Sequence, residues 1–417
     1  MKLLVINCGS SSIKFSLFEE RPGAEPARLA WGLVAELGQP TSALSLSTPA
    51  GEWRERLDRP DHPAGLAAIM AALVRPEAGV LASLAEVGAV GHRTVHAGDK
   101  FTGSVLIDEE VIAKLTACIP LAPLHNPANL AGIAAARELL PGAAQVGVFD
   151  TTFHQTMPPR AFLYALPYEL YQRHGLRKYG FHGTSCAYVA GRAARWGGGP
   201  PPRRMVICHL GNGCTVAAVQ DGQSVDTSLG FTPLEGVMMG TRCGDLDPGV
   251  VLYLQRELGM GLAEVDRMLN QEAGLRGVSG VTNDVRCISD LASNGHAQCA
   301  LALDMFTYRV RKYLGAYAAV LGGLDLVVFT GGIGENSPLV RRRCLERLEF
   351  AGVALDPALN EAPATGERAI SPAGAPVTVL VIPTDEELMI ARETARLAAG
   401  WAGEAGLAAG AEAACRG

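Results

Sequence analysis

Asn7-Cys8-Gly9-Ser10-Ser11-Ser12-Ile13-Lys14 sets a glycine, three serines and a cation between two apolar runs. A tight turn needs only the glycine. Hydroxyls and a lysine beside backbone N–H groups are what phosphate oxygens require. About 200 residues further on, His209-Leu210-Gly211-Asn212-Gly213-Cys214-Thr215-Val216 repeats the pattern of apolar run, glycine turn and apolar run. A third element, Leu324–Pro338, runs from an apolar strand into Gly331-Gly332-Ile333-Gly334-Glu335-Asn336, with a helix expected near Ser337-Pro338. Glycines at such a turn let a nucleoside lie against the backbone, with helix N–H groups facing it. There is no G-x-x-x-x-G-K-[ST] run and no protein-kinase H-R-D or D-F-G set, so phosphate binding must take another form.

Other segments carry groups suited to an anionic acceptor. Arg93 stands between His92 and His96 in "GHRTVHAGDKF", and His125 precedes a helix start in "PLHNP". Asp150 ends a strand in "VFDTTFHQTMP", His182 sits among glycines in "YGFHGTS", and Arg242 lies in "MGTRCGDLDPG". Two arginines and several histidines at loop positions suit an anionic acceptor and a phosphoryl group in transfer. Singly, each has an ordinary structural reading; it is their occurrence with the glycine hairpins that points to chemistry. Asp245 and Asp247 read as turn chemistry and a helix N-cap before Pro248. Arg341–Arg343 reads as the exposed face of a helix. Cys208 and Cys214, with His209 beside them, read as small strand hydrophobes rather than zinc ligands.

These residues need elements to position them. Leu3–Ile6 and Ile13–Glu19 read as strands, with further strand candidates to about Leu46. Leu66–Leu73 is helical in pattern, and Ala89–Val95 and Gln145–Phe149 read as strands. Pro127–Leu140 is expected to be a helix, with Asn126 as N-cap and Pro141-Gly142 closing it. Pro158–Gly180 reads as an excursion at a domain boundary, and Arg195–Arg204 as a loop. A second run of strands starts near Met205. The two glycine hairpins at half-chain spacing point to a duplicated α/β unit facing a cleft. The tail 400–417 is small-residue rich and expected to be disordered.

Composition narrows the class. A chain of 417 residues suggests two or three domains, and 48% hydrophobic with 19% charged residues is a globular balance. A net charge of -6 argues against a general nucleic-acid binder and a basic membrane-docking surface. Ten cysteines without a C-x-x-C pair favour a reducing compartment. The apolar start is too short for a signal peptide, and Tyr313–Gly332 reads as a helix end followed by a strand rather than a membrane span. A cytoplasmic location is expected.

At this point "NCGSSSIKF", "GHRTVHAGDKF", "PLHNP", "FDTTFHQTMP", "YGFHGTS", "HLGNG", "MGTRCGDLDPG", "TGGIGEN" and "PTDEE" can be taken together. In type and order, from residue 1 to about 397, the sequence resembles the acetate kinase (acetokinase) family. The resemblance implies the two-domain, duplicated ribonuclease-H-like fold of actin, Hsp70 and sugar kinases, with ATP in the interdomain cleft. It implies an acceptor-side domain over 1–150 completed by a C-terminal helix near 384–399, and a nucleotide-binding and dimerisation domain over 151–383. It implies a homodimer that moves the γ-phosphoryl group of ATP reversibly to acetate, giving acetyl phosphate and ADP. Mg²⁺ is the implied metal, with Mn²⁺ as a substitute.

Carried over by residue, Asn7 and Glu386 resemble the metal site. Ser10, Ser12 and Lys14 resemble its phosphate hairpin. Arg93 resembles the partner of the acetate carboxylate, and Val95, Leu124, Phe181 and Pro233 the methyl pocket. His125, His182, Asn212 and Arg242 resemble the ligands of the phosphoryl group, and Asp150 the essential carboxylate. His209, Leu210, Gly211, Asn212 and Gly213 are similar to nucleotide contacts, as are Asp284, Val285 and Arg286, and Gly331, Gly332, Ile333, Gly334 and Glu335. Ala97, Cys186 and Cys243 depart from residues common in the family without removing a charged group from the implied mechanism. An acetate nucleophile is already deprotonated at neutral pH, so Asp150 is expected to orient a metal-bound water or an arginine rather than act as a base. Two alternatives stay open: a propionate or other short-chain carboxylate kinase, and a non-catalytic ATP-dependent switch of the same fold.

Overall fold

Residues Leu3, Leu4, Val5 and Ile6 are all buried, yet they serve two different cores. Side chains alternate across a strand, so Leu4 and Ile6 face one side of the sheet while Leu3 and Val5 face the other. Leu4 and Ile6 pack with Ile13, Phe15, Leu66, Ile69 and Ala136. Leu3 and Val5 pack with Ala89, Val146, Ile390 and Ala391. A strand covered on both faces reads as a continuous apolar run, which is why Lys2–Cys8 carries one.

The computed structural model describes residues 1–414 apart from Pro22, Leu124 and Ala364, with side chains as far as 401. The chain divides into one unit of Met1–Thr152 with Asp385–Gly417, and a second of Phe153–Thr384. The fold is α/β, and each unit is built on a mixed sheet.

In the first unit the strands are β1 (Lys2–Cys8), β2 (Ile13–Glu19), β3 (Ala27–Ala35), β4 (Ala43–Thr48), β5 (Gly51–Arg56), β6 (Val87–Thr94), β7 (Val105–Leu106) and β8 (Ala144–Phe149). Their order is β5-β4-β3-β2-β1-β6-β8-β7. The first strands form antiparallel hairpins, whereas β6 is parallel to β1 and β8 to β6. Helices His62–Leu73 and Asn126–Leu139 add to the core of Leu4 and Ile6, and the C-terminal helix Glu386–Ala414 covers the other face.

The second unit contains β9 (Arg204–Leu210), β10 (Cys214–Gln220), β11 (Gln223–Thr227), β12 (Leu326–Thr330), β13 (Arg368–Ala369) and β14 (Thr378–Val381), ordered β11-β10-β9-β12-β14-β13. Again two hairpins are antiparallel and two neighbours parallel. The core order β3-β2-β1-β6-β8 therefore recurs as β11-β10-β9-β12-β14, the duplicated ribonuclease-H-like arrangement. Gly9–Ser12 and Gly211–Gly213 occupy equivalent turns between the first two strands of each sheet. The helix Ala297–Leu321 packs on β9 and β10. Its buried Leu303, Phe306, Val310, Leu314, Tyr317 and Leu321 follow the spacing of a single helical face.

Several expectations are corrected. Asn126 is the first helical residue rather than the cap, because its side chain turns away to donate to the His96 carbonyl at 2.9 Å. Arg341 is fully buried rather than exposed, since its guanidinium finds oxygen acceptors inside the fold. The backbone of the helix Glu386–Ala414 runs on through residues 401–414. Alanine is the strongest helix former and no proline interrupts this stretch. No helix among the described residues is long and apolar enough to cross a membrane.

Candidate active site

In the first unit, three parallel neighbours deliver polar residues at their carboxyl ends. Asn7 lies near the end of β1, Arg93 near the end of β6, and Asp150 directly after β8. Register fixes this, because Ile6 pairs with His92, and Thr94 with Phe149. Such ends are where open α/β sheets bind ligands. Arg93 donates to Asp150 through Nη2 at 2.6 Å and Nε at 3.3 Å, and through Nη1 to Asn7 Oδ1 at 3.4 Å. Glu386, at the start of the C-terminal helix, stands 3.9 Å from Arg93 Nε. Burial works against the Arg93 charge, but Asp150 and Glu386 outweigh it and hold its pKa above the ordinary arginine value.

The loop after β6 is tied to the first hairpin by a residue absent from the motif reading. Asn129 accepts from the Val95 N–H at 3.1 Å and donates to the Cys8 carbonyl at 2.8 Å. Only its position three residues after Asn126, on the same helix face, marked it in the sequence. The hairpin turn closes through the Gly9 N–H to the Ser12 carbonyl at 2.8 Å. Ser10 and Lys14 are exposed and Ser12 half-buried. His125 caps the helix by position without a side-chain capping bond, and Val95 is buried. Leu124 lies outside the described residues.

His92 belongs to the core. Its Nε2 bonds Gln145 Oε1 at 2.8 Å. Burial pushes its pKa down to about 4 against the opposing effect of Gln145, so it is neutral.

In the second unit, His182 caps the helix Gly183–Ala193 with φ +54°, a left-handed conformation uncommon outside glycine. Its Nδ1 meets Thr215 Oγ1 at 2.9 Å, and its ring stacks on His209 with centroids 4.6 Å apart. His209 Nδ1 in turn meets Ser185 Oγ at 2.8 Å, which reaches Thr384 Oγ1 at 2.7 Å. Arg242 Nη1 donates to the Pro233 carbonyl at 3.1 Å, and burial lowers the guanidinium pKa. A Cβ on Gly213 would lie 3.2 Å from His182 Nε2 and 3.5 Å from Arg242 Nη1. Only the bare backbone of the second hairpin lets these two groups come so near it. Asn212 Oδ1 accepts from Asn283 Nδ2 at 2.8 Å, and its carbonyl from the Gly240 N–H at 3.0 Å. Phe181 is buried, with its carbonyl 3.1 Å from His154 Nε2.

A cavity of about 450 Å³ opens beside this hairpin. Gly211 and Asn212, then Asn283–Arg286, then Gly332, Ile333, Asn336 and Ser337 line it. Three segments far apart in sequence thus share one wall, in a volume suited to a small-molecule ligand. Asn283 was not in the motif reading, and Asn336 and Ser337 stood in the third glycine element without being named as nucleotide contacts. Asp284 caps the helix Val285–Ser293. The Arg286 backbone N–H, then its side chain, holds the Asp284 carboxyl below the usual range.

The other nucleotide-loop candidates act from within. Gly331 has φ +77°, and a Cβ there would be 2.8 Å from the Leu210 carbonyl. His209, Leu210, Gly331 and Gly334 are buried. The Glu335 carboxylate does not face the cavity: Oε1 accepts from the Gly331 N–H at 2.8 Å and the Thr384 N–H at 3.1 Å. Asp245 accepts from the Gly236 N–H and the Tyr313 hydroxyl, both at 2.8 Å, and Asp247 caps the helix Pro248–Arg256. Both are structural.

Comparison with known proteins agrees over nearly the whole length. The model of the acetokinase family matches residues 2–392. An acetate kinase of Phocaeicola vulgatus is 49% identical over 397 residues, covering 94% of this chain and 98% of that protein. The crystal structure of Porphyromonas gingivalis acetate kinase superposes with a TM-score of 0.90 at 48% identity, covering 95% of this chain and 99% of the other. A propionate kinase of Francisella tularensis superposes with a TM-score of 0.88 at 40% identity, with the same coverage of each chain. The chain belongs to the acetokinase family.

Proposed function

We propose that this chain is an acetate kinase, which transfers the γ-phosphoryl group of ATP reversibly to acetate. The observation that carries the reading is the convergence of His182 and Arg242 on the Gly211–Gly213 turn, which itself carries Asn212 and lies next to a cavity of nucleotide-compatible size. Donors held rigidly at one backbone turn are what a transferring phosphoryl group needs, since its catalysis is positioning and charge stabilisation.

An oxygen of acetate attacks the γ-phosphorus in line. The new O–P bond forms as the bond to the β–γ bridging oxygen breaks, and ADP leaves with that electron pair. His182, Asn212 and Arg242 donate to the equatorial oxygens, and His125 adds a further donor. Arg93 binds the acetate carboxylate. It has five N–H donors, of which Asp150 and Asn7 take three, so two remain. Asp150 holds that guanidinium in place. Val95, Leu124, Phe181 and Pro233 receive the methyl group, and Ser10, Ser12 and Lys14 receive phosphate oxygens.

Mg²⁺ fits the chemistry of the first unit. Asn7, Asp150 and Glu386 gather hard oxygen donors around Arg93, and two carboxylates against one guanidinium leave net negative charge. No group of three or more acidic, His or Cys side chains forms a direct cage among the described residues. Asn7 and Glu386 would therefore hold the ion through its waters, as Mg²⁺ sites commonly do. When bound, it neutralises phosphate charge. Chelation with EDTA is expected to abolish activity, with Mn²⁺ restoring it in part.

Exposed Leu252, Tyr253, Leu258 and Leu262 in and beside the helices Pro248–Arg256 and Leu262–Arg267 support self-association as a homodimer. Light scattering that returns a monomer mass would remove that part. No disulfide joins the described cysteines, which supports a cytoplasmic location.

The test is hydroxylamine trapping of the acyl phosphate with MgATP and acetate, propionate or butyrate in turn. Acetate is expected to give the strongest signal. The similarity to a propionate kinase keeps that acid as the second substrate, because one methylene is worth only about 1–3 kcal/mol of discrimination. A stronger signal with propionate would change the substrate and keep the mechanism. Silence with all three acids would leave a non-catalytic nucleotide switch.

A further inference from the structure

Arg341 is the largest fully buried side chain among the described residues. It sits in the helix Pro338–Leu345, just after the short helix Gly331–Asn336. A guanidinium inside a fold is costly unless its N–H groups are satisfied. Here Nη1 donates to the carbonyls of Gly334 at 2.9 Å and Glu335 at 2.8 Å. Nε donates to Asn360 Oδ1 and Nη2 to the Asn360 carbonyl, both at 2.8 Å. All four acceptors are neutral oxygens. Burial, with Arg368 adding to it, pushes the Arg341 pKa down to about 10, so the group remains charged at neutral pH.

A buried cation bonded only to neutral oxygens is a poor device for stability, because a well-packed apolar side chain costs less. What four bonds from a rigid fork provide is geometry. The helix Gly331–Asn336 has six residues and cannot hold its own shape. Its start is fixed by the Glu335 carboxylate on the Gly331 and Thr384 N–H groups. Its end is fixed by Arg341, which ties the carbonyls of Gly334 and Glu335 to Asn360 in the helix Pro357–Glu361. Gly332, Ile333, Asn336 and Ser337, which line the cavity, lie in and beside this held segment.

We infer that Arg341 is a positioning residue for the nucleotide, fixing the cavity wall Gly332–Ser337 through the carbonyls of Gly334 and Glu335. The inference rests on the nucleotide reading of this cavity. Arg341→Lys keeps a charge but loses the fork. Asn360→Ala removes one acceptor and the Asn360 bond to the Pro338 carbonyl, and leaves Arg341 in place.

Wild type and both variants are titrated with MgADP by calorimetry, with circular dichroism and Tm reporting the fold. Acetate KM is measured at saturating ATP. ADP affinity is expected to fall about 10-fold in Arg341→Lys and roughly 3-fold in Asn360→Ala, with acetate KM within about 2-fold of wild type. A folded Arg341→Lys with wild-type ADP affinity overturns the inference, as does a rise in acetate KM equal to the loss of ADP affinity. If the lysine variant does not fold, wild-type ADP affinity in Asn360→Ala overturns it. A wild-type protein that binds no ADP overturns the nucleotide reading itself.

Discussion

The Asp150 carboxylate is gripped by Arg93 through both oxygens, Nη2 to Oδ2 at 2.6 Å and Nε to Oδ1 at 3.3 Å. Asp150 is almost fully buried, whereas the Arg93 side chain keeps 20% of its surface exposed. The pair is thus built with the acid inside and the base facing outward. That suits a carboxylate whose task is to orient a guanidinium. Asp150→Asn keeps the size and loses the charge, and is expected to lower kcat/KM for acetate by at least about 10²-fold. The pH–rate profile of the residual activity should keep the shape of the wild type. Loss of one limb in the variant would show instead that Asp150 moves a proton.

Arg242 is held by the Pro233 carbonyl and lies next to Gly213. Its proposed work is done on charge that develops in transfer, so removal should act on kcat. Arg242→Ala is expected to lower kcat by about 10²–10³ with little change in MgADP affinity. Steady-state kinetics with a binding titration separates the two quantities. An unchanged kcat would end the assignment.

Thr215 sits under His182, with its hydroxyl 2.9 Å from Nδ1. When that hydroxyl donates, the imidazole proton stays on Nε2, the nitrogen nearest Gly213. Thr215→Val removes the donor, and should lower kcat by roughly 5–10-fold, the worth of one hydrogen bond. Thr215→Ser keeps the hydroxyl and should recover most of the rate. Equal rates in the valine and serine variants would show that the contact does not orient His182.

His92 supplies a stability signature. Its folded pKa is about 4, below an unfolded value of about 6.5. The unfolded chain binds the proton more readily between these values, so stability must fall as pH drops from about 6.5 towards 4. The full effect is on the order of 3 kcal/mol. Denaturant unfolding across that window should show a shallower slope in His92→Asn than in wild type. Parallel slopes would mean that other groups carry the acid sensitivity.

Much of the site could be read from sequence because its backbone chemistry is local. A strand interrupted by glycines and small polar residues marks a tight turn, so Gly9–Ser12 and Gly211–Gly213 were visible as candidate phosphate turns, and their spacing pointed to a duplicated unit. The strand Lys2–Cys8 and the helix Asn126–Leu139 likewise announced themselves by the apolar run from Leu3 and by Pro127.

What the sequence could not contain is which side chains turn inward. Arg341–Arg343 reads as three exposed charges, yet Arg341 is buried because Asn360 and the carbonyls of Gly334 and Glu335 wait for it in space. Glu335 stands in a nucleotide motif, yet its carboxylate closes the turn that carries the motif. Asn129 joins Val95 to Cys8 across more than a hundred residues of chain. The sequence by itself determined which residues bear charge, where glycine relieves the backbone, and the family these motifs signal. Tertiary structure alone decided which polar atoms meet, because the burial cost of each is set by partners that lie far away along the chain.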